Sequence, residues 1–279
     1  TQSLASEIGY VGLTATPFSD IKWALTNFYW LQSFAKGKIK MIGGQVDVTD
    51  YVNVYSLVNP WSAFSNLQFS TGATIPSPNQ GLGAALIGQL SEHYYFSLGI
   101  SDANGDPTDP LGAFDSFFNV AEFFTVVDFG WIKSSDRRFS DNIHVTYWNV
   151  AERSALGIPG GWGLNFSYSQ VLNSHWQPFL RAGSAHNGGV LYEGSVEAGF
   201  GYNFSPKQHF FGIGLGWSKP SESTYYQGIE SLFTLELFYL WLKFKHLILT
   251  PDIQFVVNPA QNPTENFITV FGLRGRLYL

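Results

Sequence analysis

The stretch Val190-Leu191-Tyr192-Glu193-Gly194-Ser195-Val196-Glu197-Ala198-Gly199-Phe200-Gly201-Tyr202-Asn203 decides the fold class. A β-strand sends successive side chains to opposite faces. The even positions put Tyr192, Gly194, Val196, Ala198, Phe200 and Tyr202 on one face. The odd positions put Glu193, Ser195, Glu197, Gly199, Gly201 and Asn203 on the other. One face is apolar and ends in aromatics. The other carries carboxylates, small residues and an amide.

The same division recurs along the chain. In 208–218, Phe211, Ile213, Leu215 and Trp217 oppose Gly212, Gly214, Gly216 and Ser218. In 160–171, Trp162, Leu164, Phe166 and Tyr168 oppose Gly163, Asn165, Ser167 and Ser169. The last segment is less clean: Phe271, Leu273, Leu277 and Leu279 oppose Gly272, Arg274, Arg276 and Tyr278, while Ile268 and Val270 fall on the polar phase. Strand-like segments separated by turn signals lie near 21–35, 37–47, 82–91, 93–101, 121–133, 140–150, 160–171, 174–183, 190–203, 208–218, 228–242, 245–257 and 266–279. A further strand at Glu7 to Thr16 is the one open addition. No linker divides the chain, so residues 1–279 read as a single all-β domain.

A soluble sandwich also alternates, with its apolar face inward. Two features favour a membrane barrel. Aromatics gather at strand ends (Trp162 and Tyr168, Tyr192 and Tyr202, Phe211 and Trp217), as interfacial girdles do. The polar faces mix Gly, Ser and scattered charges, as a wet lumen does. Composition agrees: charged residues are 13% of the 279, aromatics 17%, with 25 Phe, 14 Tyr and 9 Trp. That charge fraction is about half the usual globular share. No apolar run reaches the ~18 residues of a spanning helix; Ser231 to Leu242 is short and broken by Glu236. In lipid every backbone N–H and C=O needs a partner, which leaves a closed antiparallel β-barrel as the spanning structure.

A net charge of −6 speaks against a nucleic-acid partner, and the lack of cysteine removes disulfides and thiolate metal sites. The six histidines form no close-spaced ligand pair. Asp102-Ala103-Asn104-Gly105-Asp106 has oxygens at the alternate positions of a calcium loop, but Pro107 and Pro110 follow and the closing glutamate is missing, so it reads as a turn. No Gly-x-Ser-x-Gly elbow and no phosphate-loop glycine pattern occurs. The expectation is a non-enzyme without cofactor or metal, partnered by membrane lipid and lipopolysaccharide. The chain opens at Thr1 on polar residues, without an initiating Met or a leader, and reads as a processed or shortened form.

An ordered set of motifs resembles the carbohydrate-selective porin family OprB. It comprises Pro78-Asn79-Gln80-Gly81-Leu82-Gly83-Ala84-Ala85-Leu86, then Asp102-Ala103-Asn104-Gly105-Asp106-Pro107, then Trp148 in a His-Val-Thr-Tyr-Trp strand. Pro178-Phe179-Leu180-Arg181-Ala182-Gly183 and Gly212-Ile213-Gly214-Leu215-Gly216 follow, then Glu230, Glu236 and Tyr239. Thr250-Pro251-Asp252-Ile253-Gln254-Phe255 with Asn258-Pro259, and Phe271-Gly272-Leu273-Arg274, complete it. Order and spacing over residues 37 to 279 carry the resemblance. It implies an outer-membrane barrel of about sixteen strands in a Gram-negative bacterium, with a constricted, sugar-permeable pore. Thirteen strands are legible, and bacterial barrels have even numbers, so about three N-terminal strands are expected to be absent. A barrel of about fourteen strands using Glu7 to Thr16 is the alternative. Two positions depart: Gln45 stands where the family's early motif has a basic residue, and Asp128 takes the place of its mid-chain acid.

Polar-phase positions give the pore-lining candidates: Lys38, Lys40, Asp128, Trp148, Arg181, Glu193, Glu197, Glu230, Glu236, Asp252, Gln254, Arg274 and Arg276. Their functional reading is a wall of hydrogen-bonding groups for small carbohydrates, with Trp148 stacking on a sugar face. The structural reading is mutual neutralisation and the pinning of loops, with Glu236, Asp252, Arg274 and Arg276 as a charge ladder over three consecutive strands. The long segments 51–80 and 102–120 can fold into the lumen and set a constriction. A barrel enzyme, a soluble lectin and a channel for organic acids are the competing readings. The flat Gly/Ala/Leu face of 82–91 would suit a homotrimer.

Overall fold

The computed structural model describes residues 3–16, 23–205, 209–244 and 246–277. They form thirteen antiparallel strands in one sheet, each paired with its neighbours in chain order. The strands are β1 (Phe28–Phe34), β2 (Ile39–Val46), β3 (Gly81–Gln89), β4 (Tyr94–Asp102), β5 (Phe123–Ile132), β6 (Asn142–Val150) and β7 (Gly161–Ser169). They continue with β8 (Trp176–His186), β9 (Tyr192–Ser205), β10 (His209–Pro220), β11 (Leu232–Phe244), β12 (Leu247–Val257) and β13 (Phe267–Leu277). Each falls on one of the segments legible in the sequence. Among the described residues no ladder joins β1 to β13, so both are sheet edges.

β6 shows which face is inside. Asn142, His144, Thr146, Trp148 and Val150 are at most 2% exposed, whereas Ile143, Val145 and Tyr147 are 39–45% exposed. The exposed face is the apolar one. A soluble sandwich would have the reverse, so the outer surface is made for lipid. Outward rings meet near the short-turn rim: Trp176 and Tyr202 lie 4.7 Å apart between centroids, Tyr202 and Phe204 4.8 Å.

Tyr192 departs from its expected place. Pro220 pairs with Tyr192 but Lys219 with Gly194, so β9 carries a bulge at Glu193. One extra residue reverses the phase. Tyr192 therefore points inward, fully buried, and its hydroxyl donates to the Val11 carbonyl.

Glu7 to Thr16 is no strand. A short helix α1 (Leu4–Glu7) is followed by irregular chain through Gly9 (φ 71°) and Gly12 (φ 113°). A Cβ on Gly9 would stand 2.5 Å from that of Asn262. Left-handed glycines and close approach to the 258–266 connection preclude a ladder here. The fourteenth strand is thus overturned.

The rims differ. One carries turns such as 35–38, 90–93 and 170–175; the other carries 47–80, 103–122 and 221–231. Residues 47–80 fold against the inner wall with a short helix α2 (Leu67–Ser70), and 3–16 join them. Ile268 and Val270 thereby find their apolar partners: Ile268 packs on the cluster containing Tyr10, Val11 and Leu232, and Val270 is buried. Residues 103–122 behave differently. In α3 (Gly112–Asp115) and the π-turn after it, Leu111, Phe114 and Phe118 are exposed, and Phe117 packs on outward Phe123.

The two faces of β6 make opposite demands on substitution. Val145→Arg should cost about 2–4 kcal/mol of barrel stability if its site lies near the bilayer midplane. The check is urea unfolding in phospholipid vesicles, with Val145→Leu as the neutral control.

Candidate functional site: the inner wall and its inward segment

Even positions of β6, β10, β11 and β12 face the lumen, as do odd positions of β7 and β8. In a bare pore these groups would meet water. Here the wall from β5 to β12 meets residues 47–80. Phe64, Phe69 and Tyr55 from the segment pack with Phe179 and Phe238 from the wall. Phe64 lies 5.0 Å from Phe238 and 5.6 Å from Phe179 between ring centroids. Inward Gly214 makes room, since a Cβ there would meet Phe69 at 2.9 Å and Phe64 at 3.1 Å. A second cluster joins Val48 and Ile75 of the segment to Phe124, Val126, Trp148 and Val150 of the wall.

Polar groups complete the docking. The Glu236 carboxylate accepts the Ser65 N–H at 2.7 Å, the Asn66 N–H at 3.0 Å and the Ser65 hydroxyl at 3.1 Å. A carboxylate buried without such donors would be strongly disfavoured. The Gln254 amide donates to the Thr14 carbonyl at 2.8 Å and accepts from Asn66 Nδ2 at 3.0 Å. Asp252 Oδ1 takes a further Gln254 hydrogen bond at 3.1 Å, and Arg274 Nε approaches Asp252 Oδ2 at 3.7 Å while its guanidinium donates to the Pro60 carbonyl. Tyr10 donates to Asn66 Oδ1 at 2.9 Å, and burial pushes its phenol upward in pKa.

Arg181 anchors the other side. Its guanidinium donates to the carbonyls of Phe69, Thr71 and Asn53 and to the Asn53 side chain, and it stands 4.5 Å over the Tyr55 ring. Burial raises the Tyr55 phenol pKa. Asn53 Nδ2 reaches the Thr146 hydroxyl at 3.1 Å, which donates to Asp128 Oδ1 at 2.7 Å. Glu197, buried, stands opposite Arg181 in the β8–β9 ladder.

The sequence-derived candidates thus separate. Asp128, Arg181, Glu197, Glu236, Asp252, Gln254 and Arg274 are on the inner wall and buried under the segment. Trp148 is inward but has 0% exposure, so it cannot stack on a solute while the segment is docked. Glu193 is in the bulge and pairs with Lys219 at 2.5 Å. Glu230 lies in the 221–231 connection and accepts from Asn258 at 3.2 Å. Arg276 continues the β13 phase beyond Arg274 and is exposed near the short-turn rim. Lys38 and Lys40 are exposed at that rim.

The partners of these wall residues escaped sequence reasoning: Asn53, Ser65, Asn66, Gln68 and Thr74. A signal was present. Residues 51–91 hold no Asp, Glu, Lys or Arg, yet hold many amides, hydroxyls and rings. That is the composition of chain buried inside a polar wall.

The side of the wall left uncovered faces a cavity. Ile42, Val46, Ala85, Ile87, Ser97, Tyr51 and Val126 line it. A second hollow at the short-turn rim shares Ile87 and is bordered by Lys38, Lys40, Gln89, Tyr95, Ser135 and Arg138. Both lie beside β2–β5, and Val48, Tyr51 and Val52 of the inward segment close one side of the first.

A lipid-facing antiparallel wall around a polar interior, with chain folded inward from one rim, is the architecture of porin-type barrels. Residues 160–278 match the family model described as carbohydrate-selective porin, OprB family, and over that stretch the chain is OprB-like. The match takes in the motifs from Pro178 onward. Two solved structures of OprB from Pseudomonas putida share the fold. The high-pH structure superposes with a TM-score of 0.72 at 12% identity, covering 96% of this chain and 76% of that one. The low-pH structure gives 0.56 at 10% identity, covering 92% and 68%. No curated protein matches the chain.

Phe64→Ala should weaken docking of the segment by about 3–5 kcal/mol, the usual cost of emptying a buried aromatic site. The expected result is faster protease cleavage within 47–80 while heat-modifiable migration on SDS gels is unchanged. Loss of that migration would mean that the segment also holds the barrel together.

Proposed function

We propose that the chain forms a passive outer-membrane pathway for carbohydrates or similar small neutral polar solutes. The observation that carries this reading is the partly filled lumen. Residues 47–80 cover the wall from β5 to β12 and leave two hollows beside β2–β5, one of them opening at the short-turn rim. A narrowed path selects by size and by hydrogen bonding, and weak contacts at several places let the solute leave. The description of the matching family supplies the solute class.

In this reading the buried wall residues act on permeation indirectly. Glu236, Gln254, Asp252, Arg274 and Arg181 fix the segment that sets the bore. Direct contact falls to exposed lumen groups, Lys38 and Lys40 among them.

The open edges belong to the same proposal. β1 is exposed on both faces along its whole length, and unpaired edge groups are not tolerated in lipid. Further strands between β13 and β1, about three for a barrel of about sixteen, would close it. Tyr29 and Phe271 should then cross-link through engineered cysteines to the added strands rather than to each other.

Replacing Ser56 to Thr71 by a flexible Gly/Ser linker tests the function. Liposome swelling with sugars of graded size should show larger sugars entering, and single-channel conductance should rise. Unchanged conductance would reject the segment as the constriction. Permeability that follows size alone in the unaltered protein would reject selectivity for sugars.

A further inference from the structure

Charge is distributed along the barrel axis. At the short-turn rim stand Lys36, Lys38, Lys40, Lys133, Arg137 and Arg138, outnumbering the carboxylates Glu92, Asp136 and Asp141 there. At the opposite rim stand Glu122, Glu152, Glu193, Glu222, Glu230 and Glu265. Exceptions on the acidic rim are engaged: Lys219 bonds Glu193 at 2.5 Å and Arg153 donates to the Gly188 carbonyl at 3.2 Å. At the basic rim, Arg137 is neutralised by Asp141 at 2.7 Å. Lys38, Lys40 and Arg138 are not: among the described residues none of the three has an ion-pair partner. The buried Asp128 carboxylate reaches the Tyr95 side chain that Arg138 covers, without pairing with any of the three, and such a gathering of cations is unexpected in a chain of net charge −6.

These three share one hollow. Lys40 pairs with Ile87 and is in phase with buried, inward Ile42, so the hollow opens to the lumen and not to lipid. Tyr95, inward and 4% exposed, forms the floor. The Arg138 guanidinium lies 4.3 Å over the Tyr95 ring, which fixes a side chain otherwise free to extend into water. Ser135 and Gln89 add neutral hydrogen-bonding groups at the border. Two ammonium groups, an oriented guanidinium, a hydroxyl and an amide suit a phosphate or carboxylate carried on a polar body.

We infer that the short-turn mouth is an anion site, formed by Lys38, Lys40 and Arg138, for the phosphate or carboxylate group of a solute in the pore. The inference rests on the pore reading above and adds a solute class to it. The site lies outside the region filled by the inward segment, so it operates with the segment docked. It holds an acidic sugar at one end of the path while neutral sugars pass. Opposite rim charge makes the two ends unequal, so an anion is held at the basic end only.

The test uses inorganic phosphate as probe. The detergent-solubilised full chain, free of added lipid, is titrated with phosphate and followed by phosphorus NMR line broadening. Saturable binding is expected, weakening as salt is raised. Lys38→Gln/Lys40→Gln should weaken it about tenfold, as expected for removing charge-assisted hydrogen bonds. Lys219→Gln at the other rim should leave it unchanged. No saturable binding, or equal loss in both variants, would overturn the inference. So would a response confined to phosphatidylglycerol vesicles, which would make the cluster a lipid contact. Liposome swelling with a neutral sugar is measured in parallel. Its failure alone would count against the pore and not against the site.

Discussion

Hydrogen-bond satisfaction of a backbone immersed in lipid is the constraint on which the rest depends. It forces each strand to pair with its chain neighbours and allows irregular backbone only at the rims or inside. The alternation of the side chains then follows. One phase is left to lipid and must be apolar, as Val145 and Tyr147 are. The other is delivered to the interior without regard to its polarity, as Thr146 and Trp148 are. The same constraint calls for partners at the edges that β1 and β13 present among the described residues.

The interior phase meets a second demand. Much of it does not face water but the chain's own residues 47–80. Inward polar groups therefore act first as docking points. Glu236 binds two backbone N–H groups at the start of α2, and Arg181 binds carbonyls at its end. The segment is thereby held at both ends of one short helix, and the aromatic cluster of Phe64, Phe69, Phe179 and Phe238 fills the space between. Apolar contact supplies the larger stabilisation, and the buried charges confine the segment to one register because misplacing them leaves them unsatisfied.

The uncovered side has a different character. Its wall is built of small and aliphatic residues, and its cations are collected at one mouth. Barrel geometry connects these features: strands that are amphipathic across their width can still be charged differently at their two ends. In the proposed pore, selection by bore and selection by charge would fall on different parts of the lumen.

All thirteen strands were legible in the sequence, because a period of two survives wherever one face meets lipid. Gln254, Glu236 and Arg181 were legible as inward residues for the same reason. The sequence could not show that their partners are the chain's own Ser65, Asn66, Thr14 and Asn53, since those contacts span 128 to 240 positions along the chain and obey no local period. Nor could it show the bulge that turns Tyr192 inward, because one extra residue leaves composition unchanged while reversing every side chain beyond it. The β-barrel wall facing lipid was thus fixed by local alternation. What occupies its interior, and hence where a solute can pass, was decided only by tertiary packing, because a polar phase serves water and folded-in chain equally well.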